Sequence, residues 1–306
     1  MTVLTQRPPR RPARAGGLPE ASAYVADRRR AGRRRFLSFV GTHAIALALV
    51  LMFVAPVVFV FLTSVMTDNQ ALTSDLWPHQ WVWSNYRTLF SQAPIWTWLR
   101  NTMVYALLAT ALMLVSSIPV AYALARFRFA GRRFALLAVI ATMMLPPQVV
   151  AVPLYVMWSR YHLTGTLWPL IIPMLFGDAF SIFLLRQFFL TIPQEITEAA
   201  RCDGASDWRI LTRIVVPTAK PAIAAVGLFA FLYAWNDFYN PLLYTGNSTT
   251  SQTLAVGLTT LAKSAHQNSY QLQMAASIIF LAPVLLIFFF AQKVFVEGVT
   301  LTGVKG

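Results

Sequence analysis

Long apolar stretches free of Asp, Glu, Lys and Arg dominate the chain. A helix needs about 20 mainly apolar residues to cross the hydrocarbon core of a bilayer, and six windows approach or exceed that length. Phe36 to Thr67, Asn101 to Ala125 and Phe134 to Ser159 contain no charge. Thr166 to Leu185 is interrupted only by Asp178, and Pro221 to Tyr244 only by Asp237. The last window lies between Lys263 and Lys293 and is most apolar from Met274 to Ala291. The pattern predicts an all-α integral membrane protein with six transmembrane helices.

The polar residues between the windows add an orientation. Of 25 Lys and Arg, 21 fall in alternate segments: ten Arg precede Phe36, four lie in Arg126 to Arg133, five residues lie between Arg186 and Lys220, and two follow the last span. The other segments hold only Arg87, Arg100, Arg160 and Lys263. Basic residues concentrate on the cytoplasmic side, so both termini are expected in the cytoplasm. Residues 1–35, rich in Arg and Pro without apolar periodicity, read as a disordered cytoplasmic tail serving orientation and anionic lipid contact. The first apolar window is too long for the core of a cleaved signal peptide.

Composition narrows the function classes. The 306 residues are 57% hydrophobic and only 12% charged, about half the charged share of a soluble domain. The net charge of +14 therefore reads as a topology signal, and no nucleic-acid partner is expected. One cysteine, Cys202, excludes an intramolecular disulfide and a thiolate metal cluster, and four scattered histidines supply no metal site. No nucleophile, base and orienting group stand together, so no catalytic residues are assigned and the chain is not expected to be an enzyme. The first outer loop, Met66 to Trp98, carries five Trp. It reads as an interfacial belt with a short surface helix near Asn85 to Ser91, against the alternative of a sugar-stacking site.

The loop between the fourth and fifth windows carries the most specific chemistry. Thr191 and Gln194 have capping-box spacing, Pro193 suits a first helical turn, and Glu195 and Glu198 lie near the positive helix end. Gly204 can end that helix in the left-handed conformation, and Ser206 can cap a second helix from Asp207 to about Ile214. Pro217 and Pro221 separate it from span five. The spacing predicts a short helix, a glycine elbow and another short helix outside the membrane.

Glu198-Ala199-Ala200, three residues, Gly204, nine residues, Ile214 and then Pro217 resemble the EAA loop of ABC importer permeases, with Val216 standing where the family pattern has Leu. Around it the chain resembles the carbohydrate branch, in the subunit similar to MalG: Asn101-Thr102, Tyr122-Ala-Leu-Ala-Arg126, Pro153-Leu-Tyr155, Trp235-Asn-Asp-Phe238 and the terminal Gly303-Val-Lys-Gly306. The resemblance covers about residues 36–306, a transmembrane permease domain with its coupling loop at about 191–217.

The resemblance implies a type I ABC importer permease in a bacterial cell membrane, carrying a sugar or oligosaccharide. It implies a heterodimer with a second permease subunit, two copies of a cytoplasmic ATP-binding subunit and an extracytoplasmic solute-binding protein. Glu198, Ala199, Ala200, Gly204, Ile214 and Pro217 become the ATPase-coupling residues. The chain holds no phosphate-loop motif, so it is expected to bind no cofactor, with ATP used by the partner. Alternatives are an importer permease for a polyamine, phosphate ester or amino acid, and an ion-coupled secondary transporter.

Ionisable groups in spans face a cavity, a partner or an interface. Asp178 reads either as a proton-coupling site or as a hydrogen-bonded structural acid. Trp235, Asn236 and Asp237 read either as lining the sugar path or as packing and loop anchors. Pro146, Pro147 and Pro153 are expected to kink span three and shape a cavity.

Overall fold

A computed structural model describes residues 21–246, 248–264 and 270–303, with side chains between residues 38 and 289 except 247 and 263–269. Among the described residues every regular element is helical. The chain divides into one unit ending at Val58 and a second beginning at Phe59.

The first unit is the greater part of α1 (Ala21–Ser64). The helix begins at Ala21, so Ala21–Arg35 is helical where the sequence reading expects disorder; residues 1–20 lie outside the described residues. The physical reason is that missing apolar periodicity argues against packing and leaves the backbone free to follow propensity. This segment follows Pro19, contains no further Pro and is built largely of Ala and Arg, which favour helix. From Ser38 to Val58 nearly every side chain is exposed, Phe53 at 72%. A helix apolar on all sides needs hydrocarbon or a protein partner around it.

The second unit continues through a 3-10 turn (Gln70–Leu72) to α2 (Ser84–Gln92), the short helix expected near Asn85. The central helix α3 (Ile95–Arg126) follows, then α4 (Arg132–Met143) and α5 (Pro147–Arg160). Next come α6 (Trp168–Ile171), a 3-10 turn (Ile172–Phe176) and α7 (Ala179–Thr191). The polar loop holds α8 (Gln194–Cys202), α9 (Asp207–Ile210), a π turn (Leu211–Val215) and α10 (Val216–Thr218). Finally come α11 (Lys220–Asn236), α12 (Tyr239–Thr245), α13 (Leu254–Ser264) and α14 (Tyr270–Gly303).

Four stretches are long and apolar enough to cross a membrane: Ser38–Ser64, Ile95–Arg126, Trp168–Thr191 and Tyr270–Phe289. Two bent pairs bring the number to six if each is one span. The third apolar window is one of these pairs. Instead of a kinked helix, α4 and α5 meet at 92°, and at 1.5 Å per residue each is only about 20 Å long. Pro146 is extended, as a residue before proline must be, and Pro147 starts α5. The other pair bends by 81° between the helix ending at Thr218 and α11.

The fourth window also differs from a single regular helix. It breaks at Gly177, whose φ of +86° suits glycine, and α7 runs on past Leu185 to Thr191. Neighbouring hydroxyls satisfy the backbone groups freed there. Ser116 Oγ donates to the Met174 carbonyl at 2.9 Å, and Ser117 Oγ accepts from the Asp178 N–H at 3.2 Å. This is how a broken helix survives in an apolar environment.

The helix α3 packs along α7 and α11, and α11 packs against α14. The start of α3 is clamped by side chains. Asn101 Nδ2 donates to the carbonyls of Thr250 and Gln252 at 2.8 and 2.9 Å, while Thr102 Oγ1 accepts from Leu254 N–H at 2.8 Å. Beside this clamp Gly257 lies against the buried Trp98 ring: a Cβ there would fall 2.2 Å from ring atom Cδ2. Gly257→Val is therefore expected to destabilise the bundle by about 1–3 kcal/mol or more, read as a lower melting midpoint in detergent, with Trp98→Ala partly restoring it in the double variant.

Candidate functional site

The segment from Ile192 to Ala219 forms a knob on the helix bundle. Its elbow follows from local chemistry. Gly204 has φ +77°, and no atom lies within 4 Å of a Cβ placed there. Ser206 caps α9 by accepting from Arg209 N–H at 3.4 Å. The expected capping box is absent: Pro193 occupies the N-cap of α8 without a side-chain bond, and Thr191 Oγ1 instead donates to Phe188 O at 2.7 Å. The Thr191 hydroxyl closes the end of α7 because orphan carbonyls there are within one turn of it.

The two faces of the knob differ. Ile192, Thr197, Ile210, Leu211, Val215 and Ala219 are buried. The apolar members of this set join Tyr122, Leu185 and Phe189 in one core cluster, with Ala200 packed against it. The outer face shows Glu195, Ile196, Glu198, Ala199 and Cys202, all exposed. Trp208 is 67% exposed. Ile214 is half-buried and Pro217 exposed. The residues at the coupling spacing are thus divided: Glu198, Ala199 and Gly204 are outside, and Ala200 and Ile214 face partly inward.

Across the elbow, Arg201 donates to Asp207 Oδ1 from Nη2 at 2.7 Å and from Nε at 3.2 Å. The Asp207 hydrogen bond holds the Arg201 guanidinium above its ordinary value, and the nearby Glu198 charge acts in the same direction. Both partners are about half exposed, so the pair contributes under about 1 kcal/mol and fixes geometry more than stability.

At the root of the knob, arginines bond the last carbonyls of two helices. Arg126 Nη2 donates to Phe189 O at 2.7 Å and to Ile192 O at 2.5 Å. Arg132 donates to Leu124 O and Ala125 O at 2.9 and 3.1 Å, and Arg186 Nε to Leu124 O at 3.2 Å. In the sequence these residues read as topology signals, Arg126 also closing the family-like Tyr122-Ala-Leu-Ala-Arg126, and none reads as a helix-end donor. For Arg126 the available hint was its place as the last residue of α3, where cations and donors are favoured; Arg132 opens α4 and Arg186 lies inside α7, and neither position carried such a signal. Trp208 was also missed, since a tryptophan at a helix start carries no signature by itself.

A cavity of about 490 Å³ lies between α3, α7 and α11, walled by Tyr105, Thr110, Asp178, Phe180 and Tyr233 among others. Its size is that of a small-molecule site. Asp178 is the N-cap of α7: its Oδ2 accepts from Ser181 N–H and Oγ at 2.8 and 2.7 Å. That geometry gives it the structural role considered for it, while keeping a carboxylate on the cavity wall.

Trp235, Asn236 and Asp237 do not line this cavity. Trp235 is fully buried, stacks on Phe231 and donates from Nε1 to Phe280 O at 3.2 Å. Asn236 bonds its own helix at Leu232 O, 2.8 Å away. Asp237 accepts from the Tyr105 hydroxyl at 2.9 Å and from Asn240 Nδ2 and N–H at 3.0 and 3.2 Å, joining the end of α11 to α12 and α3. Among the described residues no three His, Cys, Asp or Glu side chains converge as metal ligands do.

Residues 117–301 match the model of the family described as binding-protein-dependent transport system inner membrane component. The chain is 32% identical over 245 residues to the arabinooligosaccharides transport system permease protein of Halalkalibacterium halodurans, covering 80% of this chain and 86% of that one. It is 30% identical to the maltodextrin transport system permease protein of Bacillus subtilis, covering 90% and 99%. Its fold is similar to that of a bacterial ABC transporter involved in the import of the acidic polysaccharide alginate. The TM-score is 0.74 at 24% identity, over 85% of this chain and 96% of that chain.

The two faces of the knob give a paired test. Ile210→Ala, which empties a fully buried site, is expected to cost about 2–5 kcal/mol. Ile196→Ala on the outer face should stay within about 0.5 kcal/mol. Melting midpoints of the two purified variants compare them.

Proposed function

Because the chain belongs to the family of binding-protein-dependent transport system inner membrane components, we propose that it is the permease subunit of an ATP-driven importer of a sugar or oligosaccharide. It works in a bacterial plasma membrane as a six-span protein with cytoplasmic termini, each bent helix pair counting as one span. A second permease completes the path, a solute-binding protein delivers the sugar, and two copies of a separate ATPase subunit drive the cycle.

The observation that carries this reading is the knob. An exposed Glu198-Ala199 face and a left-handed Gly204 elbow stand on a buried face continuous with the core of α3 and α7. Small residues beside a carboxylate permit close approach of a partner backbone, and the exposed Trp208 and Ile196 add apolar area of the kind that anchors interfaces. A force applied to the outer face passes into the bundle without an intervening flexible linker. Nucleotide binding to the docked ATPase would then bias a two-state inward and outward equilibrium by rigid-body motion. Ala200, Ile214 and Pro217 shape the knob, and Glu198, Ala199 and Gly204 meet the partner.

The names of the two permease relatives favour a saccharide cargo. The cavity fits it: Asp178, Thr110 and Tyr233 offer hydroxyl partners beside aromatic faces. Trp235 and Asp237 support the wall from behind, through Ala234 and Tyr105, which line it. Chemistry on ATP belongs to the partner; the relatives are transport components.

Gly204→Asp tests the reading. The left-handed φ of +77° costs an aspartate about 1–2 kcal/mol, but no atom of the chain itself lies within 4 Å of a Cβ there, so the permease is expected to fold and reach the membrane. The new carboxylate points outward and should reduce ATPase co-purification and sugar uptake at least tenfold. Intact ATPase assembly with normal uptake would overturn the reading.

A further inference from the structure

We propose that Arg126 is the positioning residue that sets the angle of the knob to the bundle, and so couples nucleotide-driven movement of the knob to α3. The proposal rests on the reading of the knob as the ATPase-docking element.

Arg126 is the last residue of α3, the helix that packs along both α7 and α11. One of its nitrogens, Nη2, bonds two carbonyls on either side of a single joint. Phe189 O belongs to the last turn of α7, and Ile192 O lies in the two-residue link before α8. The direction in which the chain leaves α7 for the knob is therefore read off the end of α3. No backbone cap performs this task at Ile192, where φ and ψ are already extended at −70° and 128°.

The other two arginines act elsewhere. Arg132 and Arg186 bond Leu124 O and Ala125 O, closing α3 itself, and neither donates across the joint. The joint also holds buried polar atoms with no partner, Arg126 Nε and the Tyr122 hydroxyl one turn earlier on the same helix.

The test uses the complete complex, with its second permease, ATPase and binding protein, in lipid nanodiscs. Hydrolysis is measured with and without arabinotriose- or maltotriose-loaded binding protein, whichever the wild type responds to. In parallel, spin labels on the native Cys202, exposed on α8, and on Arg133→Cys in α4 report the knob-to-bundle distance. Arg126→Ala is expected to keep ATPase assembly and basal hydrolysis, to lose the stimulated-to-basal ratio to near one, and to broaden the label distance distribution. Arg126→Lys, whose ammonium reaches one carbonyl, should recover part of both. Arg132→Ala should change neither, although it also frees helix carbonyls.

A narrow distance distribution with wild-type stimulation in Arg126→Ala would overturn the proposal, as would equal loss in Arg132→Ala. Should Arg126→Ala fail to fold, the distance width in Arg126→Lys decides: an unchanged width overturns the proposal, and broadening supports it. If Gly204→Asp uncouples hydrolysis while Arg126→Ala does not, this proposal fails alone. If Gly204→Asp leaves the ATPase docked and stimulated, the reading of the knob fails.

Discussion

The structure depends on the continuity of one apolar cluster. Ile210, Leu211 and Val215 from the knob pack with Tyr122, Leu185 and Phe189 from α3 and α7. A surface helical hairpin attached by a flexible linker would move without consequence for the rest of the molecule. A hairpin whose inner face is part of the bundle's interior cannot, because close-packed interiors transmit displacement instead of absorbing it. Everything inferred about coupling follows from that sharing of a core, and the exposed side of the same hairpin is available to a partner because its inner side is fully used.

The second constraint is where the backbone's polar groups go when helices break in an apolar setting. Two of the breaks have side-chain partners close by. Ser116 and Ser117 serve the break at Gly177, Asp178 caps the helix that restarts there, and Asp237 joins the end of α11 to α12. The arginines at the polar end serve the carbonyls that close α3 and α7. Basic residues there consequently end helices as well as carrying the charge asymmetry from which an orientation is expected, and composition alone displays only the asymmetry.

The legible part of the fold was the part fixed by solvent and by turn chemistry. Hydrocarbon demands long apolar runs, so the windows appear in the sequence at nearly the positions of the helices. Gly204 and Ser206 announced the elbow because a left-handed turn and an N-cap have few alternative residues. Pro146-Pro147 announced a disturbance, yet a bend of 92° is set by tertiary packing and not by two prolines. The break at Gly177 was silent, since a glycine in an apolar run is compatible with an intact helix. Arg126 was illegible as a joint because its acceptors lie 63 and 66 residues away, and Thr191 misled because its hydroxyl serves the helix behind it. Trp235 and Asp237 drew notice as polar residues in a span, and only their contacts separate anchoring from lining.

The most direct test of the account is a cross-link from the knob itself. Cys202 is the only cysteine in the chain and lies exposed on α8, so the purified permease can carry a short photoactivatable reagent there, without mutation, before the importer is assembled around it. The account predicts a covalent adduct between this chain and the ATP-binding subunit, with a yield that changes when a non-hydrolysable ATP analogue is bound. Adducts to lipid or to the second permease alone, in complexes that still transport, would contradict it.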